Sequence, residues 1–122
     1  MDILLIGGQI MYGGFFVLSG LKHFTRLEAM ASYAKAKHVP APKFAVAASG
    51  LLIVLGGLGV LFGVYVRIAL LLIIIFLIPV TLQMHAFWSD TDPGTKAANQ
   101  INFMKNMALL GAALMLFAIL AP

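Results

Sequence analysis

"FAVAASGLLIVLGGLGVLFGVYVRIALLLIIIFLIPVTLQM", residues Phe44 to Met84, carries a single charged side chain, Arg67. A helix needs roughly 20 apolar residues, at about 1.5 Å each, to cross a hydrocarbon core. The stretch therefore reads as two such crossings, Phe44–Val64 and Val66–Met84, folded back on each other at "FGVYVR". Barrel strands would be shorter and would alternate polar with apolar residues, which these runs do not.

Working outward, two more apolar runs have the same length, Ile3–Leu21 and Phe103–Leu120. Asp2, not a basic stretch, precedes the first, so a span is expected there and not a cleaved leader. The expected fold is all-α: one integral membrane four-helix bundle over residues 1–122, with a short amphipathic helix at the interface between spans 1 and 2. Composition agrees. Of 122 residues, 62% are hydrophobic and 10% charged, with mean hydropathy +1.05. A soluble domain this small leaves too much surface exposed to hide that apolar content, so lipid must solvate most of it.

The chain has no cysteine, which excludes disulfides, thiolate zinc sites, iron–sulfur ligation and a cysteine nucleophile. The basic balance, pI about 9.7, is read as topology and anionic-lipid contact; the basic residues lack the aromatic interleaving of a nucleic-acid face. Threading the spans antiparallel puts Lys22, Arg26, Lys35, Lys37, Lys43, Lys96 and Lys105 on one side and Arg67 alone on the other. The loops 22–43 and 85–102 are then expected in the cytoplasm and both termini outside the cell (inner or plasma) membrane.

The first loop has its own pattern. "TRLE", Thr25–Glu28, reads as a capping box, and Leu27, Met30, Ala31 and Ala34 then share one helical face. Pro40 and Pro42 close that helix. In the second loop Asp92 can cap a helix and Pro93 can begin it, giving a fourth helix of about 28 residues that projects beyond the bilayer. Phe87 and Trp88 suit the interface. Gly7, Gly13, Gly14 and Gly20 in span 1, and Gly56, Gly59 and Gly63 in span 2, are expected to let helices approach closely. Pro79 is expected to kink span 3.

Polar residues within spans usually face the bundle interior or a wet cavity. Gln9, Tyr12, Ser19 and His23 form a stripe on span 1; Thr81 and His85 lie one turn apart on span 3; Asn99, Asn102 and Asn106 share a face of span 4. The topology puts Lys22, His23, His85, Trp88, Asn102, Lys105 and Asn106 at one depth, near the cytoplasmic boundary. Each has a plain explanation: lysines snorkel, amides cross-link helices, and histidines tolerate a wet interface. As a site, the layer offers donors and a group titrating near neutrality. Those are what a quinone headgroup needs above an apolar slot for its tail. Neither His-x-x-x-His nor Glu-x-x-His occurs, and His38 lies outside the spans, so no metal or haem site is expected. No phosphate loop and no Gly-x-Ser-x-Gly elbow is present.

The motifs "GLKHF" (Gly20–Phe24), "VPAP" (Val39–Pro42), "GLLIVLGGLGVLFGVYVRIAL" (Gly50–Leu70), "HAFW" (His85–Trp88), "DP" (Asp92–Pro93) and "INFMKNMALLGAAL" (Ile101–Leu114) resemble, in order, the DoxX family of small four-helix membrane proteins. The resemblance implies a membrane subunit associated with quinone-linked oxidoreductases, thiosulfate:quinone and terminal quinol oxidase systems among them. Relatives are linked to tolerance of quinones, catechols or oxidative stress. The family often has glutamate in the second span, in the pattern Gly-x-x-Glu-x-x-Gly-Gly, where this chain has Ile53; Arg67 matches the family's arginine after the short turn.

The leading expectation is an accessory subunit that contacts quinone or quinol near the cytoplasmic face through Lys22, His23, His85, Lys105 and Asn106, flanked by Trp88. His85 would handle the proton. Redox cofactors would reside in peripheral or membrane oxidoreductase partners, since no cofactor motif is present here; self-association is a further possibility the sequence leaves open. The alternative is a structural or assembly subunit of a larger membrane complex with no chemistry of its own. A small-solute carrier is disfavoured by the absence of inverted repeats and paired broken helices.

Overall fold

The computed structural model describes residues 2–120. It contains helices α1 (Ile3–Thr25), α2 (Leu27–Ala36), α3 (Pro42–Phe62), α4 (Val66–Met84) and α5 (Pro93–Ile119), with a short 3-10 turn at Phe87–Ser89. No strand occurs among the described residues. α1, α3, α4 with the turn that follows it, and α5 are each long and apolar enough to span a bilayer.

Helix ends follow local chemistry. Asp2 accepts a hydrogen bond from the Leu4 amide at 2.9 Å, and Asp92 accepts one from the Thr95 amide at 2.9 Å. Pro93 occupies the first turn of α5, where its missing amide hydrogen costs nothing. The expected capping box at Thr25–Glu28 is absent. Thr25 ends α1, its hydroxyl 3.5 Å from the Lys22 carbonyl, and Arg26 caps α2 without a side-chain bond. Glu28 instead pairs with Lys43 at 2.7 Å. α1 runs a turn beyond Leu21 because His23 finds a partner inside the bundle, at the Val46 carbonyl.

α1 and α3 lie antiparallel in close contact. A Cβ on Gly13 would sit 2.7 Å from the Gly57 carbonyl oxygen, and one on Gly20 would sit 2.7 Å from that of Gly50. Both pairs are spaced by seven residues, so two turns of each helix touch through bare backbone. Gly56 and Gly59 likewise bring α3 against Ala69 and Ile73 of α4. Three glycines play other parts. Gly7 and Gly14 face open space, so they pack against nothing. Gly63 ends α3 in the left-handed conformation (φ 67°), letting the Val64 amide bond the Gly59 carbonyl at 2.9 Å. α5 packs on α4, and α1 meets α5 through side chains, the Tyr12 hydroxyl donating to the Leu109 carbonyl at 2.7 Å.

Two apolar clusters result. The larger holds Phe16, Ile53, Leu70, Ile73, Leu77 and Ala113 among others. The smaller, Ala31, Ala34 and Val46, joins α2 to α3, which makes α2 part of the packed fold through the apolar face read from its sequence. The outer surface is aliphatic, with Leu4, Phe44, Ile68 and Met115 all more than half exposed. An outer surface of this kind suits contact with acyl chains.

Candidate functional site

Between the two clusters lies a cavity of about 750 Å³, with Phe16 and Leu77 of the larger cluster and Ala34 and Val46 of the smaller in its walls. Small side chains make the room: Ala29, Ala45, Ala48 and Ser49 stand where bulkier ones would close it, and Pro79 lines it from α4. Glycines hold α3 tight against α4 only at the hairpin end. Toward the other end the two helices stand apart across the cavity, Ala45 and Leu52 on one wall, Phe76 and Val80 on the other.

Five of the seven residues expected at one depth do line this space, Lys22, His23, His85, Lys105 and Asn106, and Asn102 does not. Nor does Trp88. It is 56% exposed and packs edge-on against Phe87 and Phe103, at 5.4 and 5.6 Å between ring centroids. It sits on the 3-10 turn at Phe87–Ser89, outside the cavity wall. His23 is buried. Its Nδ1 lies 2.9 Å from the Val46 carbonyl oxygen and 3.2 Å from Ser49 Oγ, and its ring tilts against Phe76 at 5.8 Å. Gly50 leaves the space its Cβ occupies: a methyl there would come within 2.6 Å. Lys105 Nζ lies 5.4 Å from the Phe15 ring centre, which places an ammonium beside an aromatic face.

His85 belongs to a network that crosses between elements. Its Nδ1 is 3.3 Å from Asn99 Oδ1, Asn99 Nδ2 donates to Asp90 at 2.8 Å, and Asp90 pairs at 3.3 Å with Lys37, which caps the C-terminal end of α2. The Tyr33 hydroxyl reaches Asn99 Oδ1 and the Met84 carbonyl, both at 3.4 Å, and Gln83 donates to the Lys37 carbonyl at 3.3 Å. These bonds put α2 and the 85–92 segment at one end of the molecule, as the antiparallel threading requires. The Asn99 amide, helped by Lys37, holds the Asp90 carboxyl below the usual aspartate range; the Thr95 amide does the same for Asp92.

Tyr33, Arg26, Met30, Ser49 and Phe76 also line the cavity and are not among the site residues read from the sequence. Tyr33 could have been found: on a helix starting near residue 26 it follows Met30 by three positions, on the same side. Phe76 could not, because nothing distinguishes it within "LLIIIFLIPV". No group of three or more His, Asp or Glu side chains able to hold a metal ion occurs among the described residues. Among the described residues, the buried side-chain polar atoms without a hydrogen-bond partner are Thr81 Oγ1 and Arg67 Nε; the Arg67 guanidinium lies 4.2 Å from the centre of the Phe117 ring.

Fold and site together define an all-helical membrane bundle with an amphiphilic cavity at the end where its longer connections meet. The DoxX family model matches residues 4–86, more than half of the chain, and the chain belongs to that family. Comparison with the curated proteins and with the solved structures finds no match for either. The family is one of membrane proteins often linked to oxidoreductases. Lys105, Asn106, Asp90 and Asn99 lie beyond the matched stretch.

Proposed function

We propose that this chain is a membrane subunit serving a quinone-linked oxidoreductase, and that it receives the quinone or quinol headgroup in the cavity between its two apolar clusters. One observation carries the reading. A cavity of about 750 Å³ brings His23, His85, Lys22, Lys105 and Asn106 together from different helices over apolar walls. Its size is within the range of small-molecule sites, roughly 300–1,000 Å³, and its mix of apolar wall and few polar groups is theirs too. The lysines and Asn106 supply donors to ring oxygens, and an imidazole is the side chain suited to taking or giving a proton near neutral pH. Redox centres belong to a partner in this reading.

The charge distribution orients the site. Seven of the eight Lys/Arg flank the cavity end, so that end faces the cytoplasm and both termini face outward. The test is to purify the protein in native lipid and measure extractable quinone per chain. Wild type retains it, and His85→Ala lowers occupancy several-fold while the protein remains monodisperse. Retention unchanged by His85→Ala removes that residue's role. A protein that holds no quinone and co-purifies at fixed stoichiometry with a larger complex is the structural or assembly subunit instead.

A further inference from the structure

The polarity of every hydrogen bond leading to His85 is determined. Asp90 is paired with Lys37 and carries a carboxylate, which only accepts. The group of Asn99 that faces it at 2.8 Å must therefore be the amide nitrogen, Nδ2. That turns the amide oxygen toward His85, 3.3 Å from Nδ1, and the Tyr33 hydroxyl can donate to the same oxygen. An amide oxygen also only accepts, so the proton sits on Nδ1 of His85, and Nε2 of the neutral ring keeps its lone pair.

His23 reaches the same state by another route. The Val46 carbonyl, 2.9 Å from its Nδ1, only accepts; Ser49 donates to that carbonyl as well, at 3.1 Å. Both imidazoles that line the cavity thus keep Nε2 as a hydrogen-bond acceptor. Ammonium donors, Lys22 and Lys105, line it too, and no carboxylate does.

Building on the quinone reading above, we propose that Asn99 is a positioning residue that fixes His85 as an acceptor. The cavity consequently prefers the reduced, hydroxyl-bearing ring (an aromatic diol with an apolar tail) over the oxidised quinone. A quinol oxygen can donate to an imidazole lone pair while accepting from an ammonium, so it uses both sets of groups at once. A quinone oxygen can only accept; it leaves the imidazole unpaired or sets two lone pairs against each other. His23 and His85 lie inside the stretch matched by the family model, Asp90 and Asn99 outside it.

The experiment uses the full chain in lipid nanodiscs under anaerobic conditions, with a decyl-tailed dimethoxy-methyl-benzoquinone and its quinol as paired probes. ¹⁵N-histidine spectra should show His85 protonated at Nδ1 and bare at Nε2. The quinol should bind roughly tenfold tighter than the quinone, the scale of one hydrogen bond gained against one forfeited. Asn99→Leu should bring that ratio toward one and mix the His85 tautomers. Exchanging the pair, Asp90→Asn with Asn99→Asp, keeps an acceptor facing Nδ1 and should restore the ratio. Equal affinity for the two probes in wild type overturns the inference while leaving the quinone site standing. So does an Asn99→Leu variant that weakens both probes alike. Binding of neither probe removes the quinone reading and the inference with it.

Discussion

Gly13 of α1 and Gly57 of α3 stand backbone to backbone: a Cβ built on either would lie 2.7 Å from the carbonyl oxygen of the other. In lipid, helices gain nothing from hiding apolar surface, so close approach of this kind is what holds them. A methyl at either position forces the helices apart. Gly57→Ala is expected to cost about 1–3 kcal/mol, the usual scale of overpacking. Gly14→Ala, one residue away from the contact and facing open space, is expected to be neutral or to stabilise by about 0.5–1 kcal/mol through helix propensity. Unfolding in mixed detergent micelles measures both. Similar losses at the two positions would mean that α1 presents a different face to α3.

Ile53 is completely buried in the larger cluster, one turn along α3 from Ser49 in the cavity wall. A carboxylate at this position would be enclosed in that cluster. Here the position is purely packing. Ile53→Ala is expected to lower stability by about 2 kcal/mol, mainly lost contacts, because lipid contributes no transfer term. Quinone content per folded chain is expected to be unchanged. A fall in occupancy without a fall in stability would show that Ile53 shapes the site directly.

What could be read in advance follows from how each feature is encoded. Spans announce themselves in any run such as "LLIIIFLIPV", and Asp92 with Pro93 marks the start of α5 because capping is local. The common depth of His23 and His85 came from counting residues along antiparallel spans, which needs no packing detail. Rotation about the helix axis needs it. Trp88 has the right depth, yet the 3-10 turn at Phe87–Ser89 sends it outward, and no residue there signals that turn. Gly7 and Gly14 look like Gly13 in sequence, and only the partner helix decides which of them is touched. The Lys37–Asp90–Asn99 chain joins residues more than fifty positions apart, so its pairing is set by the fold alone.

Acid should loosen the end of the bundle that holds Asp90 first. The folded Asp90 carboxyl titrates below the ordinary aspartate range, because Asn99 and Lys37 favour its charged form. Its contribution is complete above the unfolded value of about 4 and is lost as pH falls through the lower folded value. Asp92, held down by the Thr95 amide and hydroxyl, adds in the same direction and the same window. The part of the wild-type thermal midpoint that Asp90 and Asp92 supply should be lost as pH falls below about 4. Asp90→Asn should start lower and decline less. A variant that tracks wild type at every pH would show that the Asp90 pair carries no stability.

The direction in which the cavity faces can be decided with single cysteines, since the chain has none of its own. Thr91 and Val64 are exposed at opposite ends of the bundle, Thr91 beside the Asp90 network and Val64 in the hairpin turn after α3. With seven of eight basic residues at the Thr91 end, Val64→Cys should react with an impermeant maleimide on intact cells, and Thr91→Cys only after lysis. This bears on function as well as topology. A quinol loaded from the bilayer into a cavity at the cytoplasmic end would give its protons to that side, where His85 stands. Labelling of Thr91→Cys on intact cells would place His23 and His85 at the outer face, and any partner oxidoreductase would then have to dock from outside.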